Sequence, residues 1–166
     1  MKPLVILCCL AAVLSPAVAF ASDAEILALA RDVIAKVRYG ALISVGEQGQ
    51  PRSRIVDAFP PDDEFVIFVA TKPNTRKVKQ IRHNPKVSLF YFDPESRNYV
   101  SVMGLATLVD EKAIKLAMRR EADSDRIYPG FPDDYVLIKI VPSVVEGLLP
   151  GYRGDKETWM PARVEF

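Results

Sequence analysis

The densest run of chemistry-bearing side chains lies between Lys72 and Lys86, where six basic residues (Lys72, Arg76, Lys77, Lys79, Arg82 and Lys86) occur without an acidic one. The run opens Thr71-Lys72-Pro73-Asn74-Thr75-Arg76-Lys77, where the apolar stretch Phe65-Val66-Ile67-Phe68-Val69-Ala70 hands over to a helical pattern. A helix N-terminus carries unpaired N–H groups and about half a positive charge, so it attracts anions. Hydroxyls from Thr71 and Thr75 and cations from Arg76 and Lys77 at that junction form a donor set matched to a phosphate. Charge-assisted hydrogen bonds contribute roughly 1.5–3 kcal/mol each, so three or four anchor a phosphate ester after the costs of binding. The same composition also describes a solvated basic helix face. A nucleic-acid surface fits less well, because Phe90, Tyr91 and Phe92 alternate between the two faces of a strand and the net charge is only +1.

Arg54 adds to the cluster. In the strand-like segment Pro51-Arg52-Ser53-Arg54-Ile55-Val56-Asp57, Arg52, Arg54 and Val56 share one face, while Ile55 and Asp57 share the other. An arginine in mid-strand either reaches solvent from an open face or meets a buried anion. Other chemistries find little here. His83 is the only histidine, which excludes centres built from several His and Cys. It ends the basic helix beside Asn84-Pro85, the setting of a solvated helix end rather than of a triad member. Asp62-Asp63 and Asp133-Asp134 flank prolines and read as turn residues, not as a catalytic carboxylate pair.

The elements that must hold these residues alternate between two periods. Ser22-Asp23-Ala24-Glu25 reads as a capping box, followed by Ile26, Leu29, Val33 and Val37 at helical spacing, with Ile34 beside them and an end before Gly40. Ala41–45, Arg52 to Phe59, Phe65 to Ala70, Val87 to Phe92, Tyr99 to Val109 and Tyr135 to Val141 read as six strands, with Gly104 as a bulge in the fifth. Asn74 or Thr75 caps the short basic helix, and another helix runs from Asp110 or Glu111 to about Arg120. The tail after Pro150 has no assignable period. Turn-length connections between most strands predict an α+β, mostly antiparallel fold: a six-stranded split β-barrel with flanking helices.

The 166 residues, 49% hydrophobic and 26% charged, suit one domain with a real core, which excludes disordered and collagen-like classes. Residues 1–21 have the form of an export signal: Lys2, an apolar run from Leu4 to Leu14, then Ala19-Phe20-Ala21. An eleven-residue run is short of the roughly 20 needed to span a bilayer, so no membrane anchor is expected after cleavage. Without that segment the chain loses Lys2 and both cysteines, and its basic and acidic residues become equal in number. The expected product is a secreted or periplasmic domain of residues 22–166.

Taken in order, Gly49-x-Pro51-x-x-Arg54-x-Val56, Phe68-Val69-Ala70-Thr71, Thr75-Arg76-Lys77, Asn84-Pro85-x-Val87-Ser88-Leu89 and Gly104 resemble the FMN-binding split barrel of the pyridoxamine 5'-phosphate oxidase superfamily. The likeness runs from about Gly40 to Asp110, and the chain length is closest to the general-stress-protein branch. The resemblance implies that Thr71, at the end of its strand after Ala70, holds the FMN phosphate together with Thr75, Arg76 and Lys77. It implies that Arg54 reaches the cofactor and that the backbone at Ile55 and Val56 borders the isoalloxazine. Tyr99 falls where the oxidases carry a Gln that approaches the flavin from the partner subunit, so a homodimer with FMN at the interface is implied. Phe59 stands where the oxidases carry a Lys, and no His follows His83, so the likeness covers the flavin site and not the pyridoxal phosphate substrate site. The implied function is that of an exported FMN-dependent oxidoreductase acting on a small molecule. The alternative is a non-enzymatic binding protein on the same barrel for haem, a deazaflavin or another phosphorylated ligand. No catalytic residue is assigned.

Overall fold

Helix α1 (Asp23–Val37) begins where Ser22 accepts a hydrogen bond from the Glu25 N–H at 3.3 Å. The Glu25 carboxylate does not complete the box; it accepts from the Tyr152 hydroxyl at 3.2 Å and ties the helix to the C-terminal tail. The computed structural model describes residues 22–166. The predicted export signal and its cleavage point therefore lie outside the described residues. Ile26, Ala30, Val33 and Ile34 face the core, and Leu29 and Val37 flank them, as the helical spacing requires. Arg38 ends the helix in left-handed backbone and turns the chain into the sheet.

The strands are β1 (Tyr39–Val45), β2 (Pro51–Asp57), β3 (Ile67–Thr71), β4 (Lys86–Phe92), β5 (Tyr99–Val109), β6 (Val136–Leu148) and β7 (Ala162–Glu165), with α2 (Arg76–His83) after β3 and α3 (Lys112–Met118) after β5. They pair antiparallel in the order β2-β1-β4-β5-β6-β3, so the fold is α+β around one mostly antiparallel sheet. Its buried face carries Leu42, Leu89, Tyr91, Val102, Ile138 and Ile140, closed over by α1.

All six predicted strands are present, and β5 has its predicted bounds. The sixth continues past its predicted end at Val141 because Pro142 does not break it. Pro142 pairs with Gly104 at a register shift where the two strands bend together, and a strand irregularity is where a residue without an N–H is tolerated. The unassigned tail supplies a seventh strand: β7 adds to β6 at Val144–147, on the edge whose first half is taken by β3.

The sheet curls without closing. Beyond the end of β2, Ala58 bridges Val69 of β3, and the Phe59 N–H donates to the Phe68 carbonyl at 2.8 Å. From that single bridge the two edge strands diverge, and α2 sits at the split. This divergence creates the space in which a site can form.

At Gly104 a Cβ would stand 2.1 Å from the Val141 carbonyl oxygen, a backbone atom that cannot step aside. Gly104→Ala is expected to destabilise the domain by about 2–4 kcal/mol, read as a lower urea midpoint at unchanged slope.

Candidate functional site

The split places residues of three elements around one opening. Arg54 stands opposite Leu42 in the β1–β2 ladder, and its side chain crosses back over β1 toward α2. Its Nη1 donates to the Leu42 carbonyl at 3.0 Å and to Ser44 Oγ at 2.7 Å, while Nη2 donates to Gln80 Oε1 at 2.8 Å. Ser44 Oγ also donates to Gln80 Oε1, at 2.7 Å. Every acceptor is neutral, so the guanidinium is fixed in place with its charge intact. On the other lip, Lys77 Nζ donates to Thr71 Oγ1 at 2.9 Å. Thr75 takes the extended N-cap conformation, but its hydroxyl donates to the Lys72 carbonyl at 3.1 Å instead of accepting from the helix. The first turn of α2 contains no acidic residue and has no side-chain cap, which leaves its N–H groups for an external acceptor.

A cavity of about 630 Å³ opens between residues 51–54 of β2 and residues 74–77 at the start of α2. Arg52, Arg54, Arg76 and Lys77 line it, and no carboxylate does. Among the described residues none of the four forms an ion pair. Their setting shows in the acidity of two of them. Burial, and then the charges of Arg76 and Arg52, lower the pKa of Arg54; burial, and then Arg54, lower that of Lys77. Like charges gathered in a partly desolvated cleft repel one another until an anion enters. A multiply charged oxyanion has the charge and the acceptors that would complement this cleft.

The predicted site residues divide into four groups. Arg54, Thr75, Arg76 and Lys77 meet at the cavity. Thr71 is buried behind Lys77 and positions that ammonium rather than facing the opening. Ile55, 70% exposed, lies on the outer face of β2, while Val56 points into the core and Ala70 packs toward Tyr135 and Leu137, so these two can border the cleft only through backbone. Tyr99 does not line the cavity of its own chain; its ring packs on Phe90 across the outer face of the sheet, with centroids 5.5 Å apart. Two residues that sequence reasoning missed complete the arrangement. Ser44 is a fully buried polar residue in an otherwise apolar strand, and Gln80 lies one turn beyond Arg76 on α2. Those two oddities of pattern are the signals that point to them.

The model of the family described as pyridoxamine 5'-phosphate oxidase matches residues 26–147, and the chain belongs to that family. No curated protein matches the chain. Among solved structures it is similar to a protein from Clostridium acetobutylicum related to general stress protein 26, of the pyridoxinephosphate oxidase family, with a TM-score of 0.72, 16% identity, and coverage of 87% of this chain and 97% of that one. It is also similar to a pyridoxamine 5'-phosphate oxidase-related, FMN binding protein from Nostoc punctiforme, with a TM-score of 0.63, 17% identity, and coverage of 87% and 95%. The same fold occurs in an F420 reductase (TM-score 0.54, 23% identity, coverage 69% and 94%) and in a heme binding protein from Mycobacterium smegmatis (0.61, 16%, 89% and 60%). At these identities the likeness is one of fold.

Because Lys77 loses its proton more readily than an ordinary lysine, anion affinity should begin to fall below the usual lysine range near 10.5 as the pH rises. Lys77→Arg should move that falling limb to higher pH, as followed by phosphate titration across the alkaline range. A limb that stays in place would remove Lys77 from the site.

Proposed function

We propose that the protein is an exported FMN-binding flavoprotein of this family, an oxidoreductase acting on a small molecule. The observation that carries the reading is the carboxylate-free set of four cations at the split, joined by the uncapped start of α2. An FMN phosphate carries nearly two negative charges and accepts several hydrogen bonds at once, which matches both features. Arg76, Lys77, the Thr75 region and the α2 amides would hold the phosphate, and Arg54 would reach the next oxygens along the ligand. Thr71 would keep Lys77 aimed, and Ser44 and Gln80 would keep Arg54 aimed. The backbone of Ile55 and Val56 continues along β2 from Arg54 and offers an edge for the ring system. The bound flavin would supply the electron transfer, and the protein would supply orientation and field.

A homodimer belongs to the same proposal. Ile55, Ala41 and Phe90 are successive cross-strand partners on the outer sheet face, and Tyr39, Ile55, Phe90 and Phe92 are exposed there. An apolar row of that kind on an exposed sheet is suited to burial against a second copy, which would bring a partner's Tyr99 toward the flavin. The haem alternative draws no support from His83, which is exposed at the far end of α2, about 10 Å of helix from Arg76. A deazaflavin phosphate would use the same cleft.

The test is parallel titration with FMN, haem and a deazaflavin, read by absorbance and fluorescence quenching. FMN uptake is expected. The paired change Arg76→Glu with Lys77→Glu should abolish it while circular dichroism and thermal midpoint stay near those of the parent. Phe90→Glu should shift sedimentation from dimer to monomer and weaken FMN binding. Haem uptake alone, or unchanged FMN affinity in the double variant, would overturn the assignment.

A further inference from the structure

The far end of β2 borders a separate cavity, of about 440 Å³, that shares no lining residue with the cationic cleft. Arg31, Ile34, Ala35 and Arg38 line it from α1, at the i, i+3, i+4 and i+7 positions of one helical stripe. Ala58, Phe59 and Pro60 add apolar surface from the strand end, and Ala122 adds it from the loop after α3.

The charged groups of this cavity are already engaged. Arg38 donates to the Asp57 carboxylate through Nε at 3.3 Å and through Nη2 at 3.0 Å. Arg120 donates from Nε to the buried Asp123 at 3.1 Å, and from its two terminal nitrogens to the Ala58 and Asp57 carbonyls at 3.4 and 3.1 Å. Arg31 donates to the Pro61 carbonyl at 2.8 Å and to the Asp63 carbonyl at 3.2 Å. Asp32, Asp57 and Asp123 balance the three arginines in number. A charged ligand entering here would lose its hydration and find no unmatched counter-charge. The alanines and prolines of the lining have little side-chain freedom to lose, so the apolar surface is prepared before anything binds.

We propose that this cavity is a second ligand site, and that it takes an uncharged, predominantly apolar small molecule. Its volume lies in the range of small-molecule sites, about 300–1,000 Å³, and burial of the ligand's apolar surface supplies the attraction. The ion network forms the wall of the site and selects by exclusion: it admits a neutral guest and turns away a charged one. The cationic cleft selects in the opposite sense, and the second site does not depend on what occupies that cleft.

The experiment uses two fluorescent probes, phenylnaphthylamine and its sulfonated counterpart anilinonaphthalene sulfonate, which share a ring skeleton and differ in one negative charge. The parent should bind the uncharged probe at least tenfold more tightly, and inorganic phosphate should not displace it. Ala35→Phe, at an exposed helix position that lines the cavity, should weaken the uncharged probe at least tenfold and leave phosphate affinity within about twofold. Ala122→Phe fills the cavity from the other wall and should do the same, which separates occlusion from damage to α1. Asp57→Asn removes the carboxylate between Arg38 and Arg120 and should cut the preference at least fivefold by improving the sulfonate. The proposal is overturned if the parent binds the sulfonate as tightly as the uncharged probe, or if phosphate displaces that probe. It is equally overturned if both filling variants bind the uncharged probe like the parent, or if Asp57→Asn leaves the preference unchanged. Failure of FMN to bind would remove the flavin reading and leave these outcomes as they stand.

Discussion

A guanidinium held by neutral acceptors at the mouth of an unclosed sheet is the constraint around which this domain is arranged. Arg54 is fixed by a carbonyl, a hydroxyl and an amide oxygen, each from a place the fold must bring to it. The β1–β2 register sets Leu42 opposite Arg54 and Ser44 opposite Arg52. The packing of α2 against the sheet through Val78 and Ile81 delivers Gln80. A carboxylate at any of these positions would neutralise the arginine. None occurs there, so the positive charge is stabilised in place without being cancelled, which is the condition for attracting an anion from solution.

The far end of β2 shows the opposite treatment of charge. Asp57 pairs with Arg38 at 3.0 Å and lies 3.8 Å from Arg120, whose guanidinium is held by the buried Asp123 at 3.1 Å and stacks 4.0 Å over the Phe59 ring. Tyr135 donates to Asp123 as well, and burial together with that carboxylate pushes the Tyr135 hydroxyl far above the normal tyrosine range. Cations here are matched to anions and serve to fasten the loop after α3 to the sheet. Within one strand the chain thus spends its charge in two ways, sealed at one end and open at the other. That polarity separates a structural ion network from a binding site without appeal to any relative.

How much of this could be read from the sequence follows from how local each feature is. The cationic cluster at the split was legible because Thr75, Arg76 and Lys77 are neighbours in the chain, with Thr71 just before them, and a strand-to-helix junction is a local event. Strand β5 was legible to its ends because turn residues precede it and its side chains alternate. The support beneath Arg54 was not, since Ser44, Arg54 and Gln80 come together only through strand register and helix docking. Strand β7 escaped because four residues carry too little periodicity, and its pairing depends on β6 continuing beyond Pro142. The second half of the capping box failed for a similar reason: Tyr152, more than a hundred residues away, takes the Glu25 carboxylate.

The central claim is that the split recognises a ligand chiefly through its phosphate. Affinity for riboflavin against FMN, measured by fluorescence quenching under one set of conditions, isolates that contribution, since the two differ only in the ester. Three or four charge-assisted contacts predict FMN binding at least about a hundredfold tighter than riboflavin. Equal affinities would contradict the account, because the cations at the split would then contribute nothing to recognition.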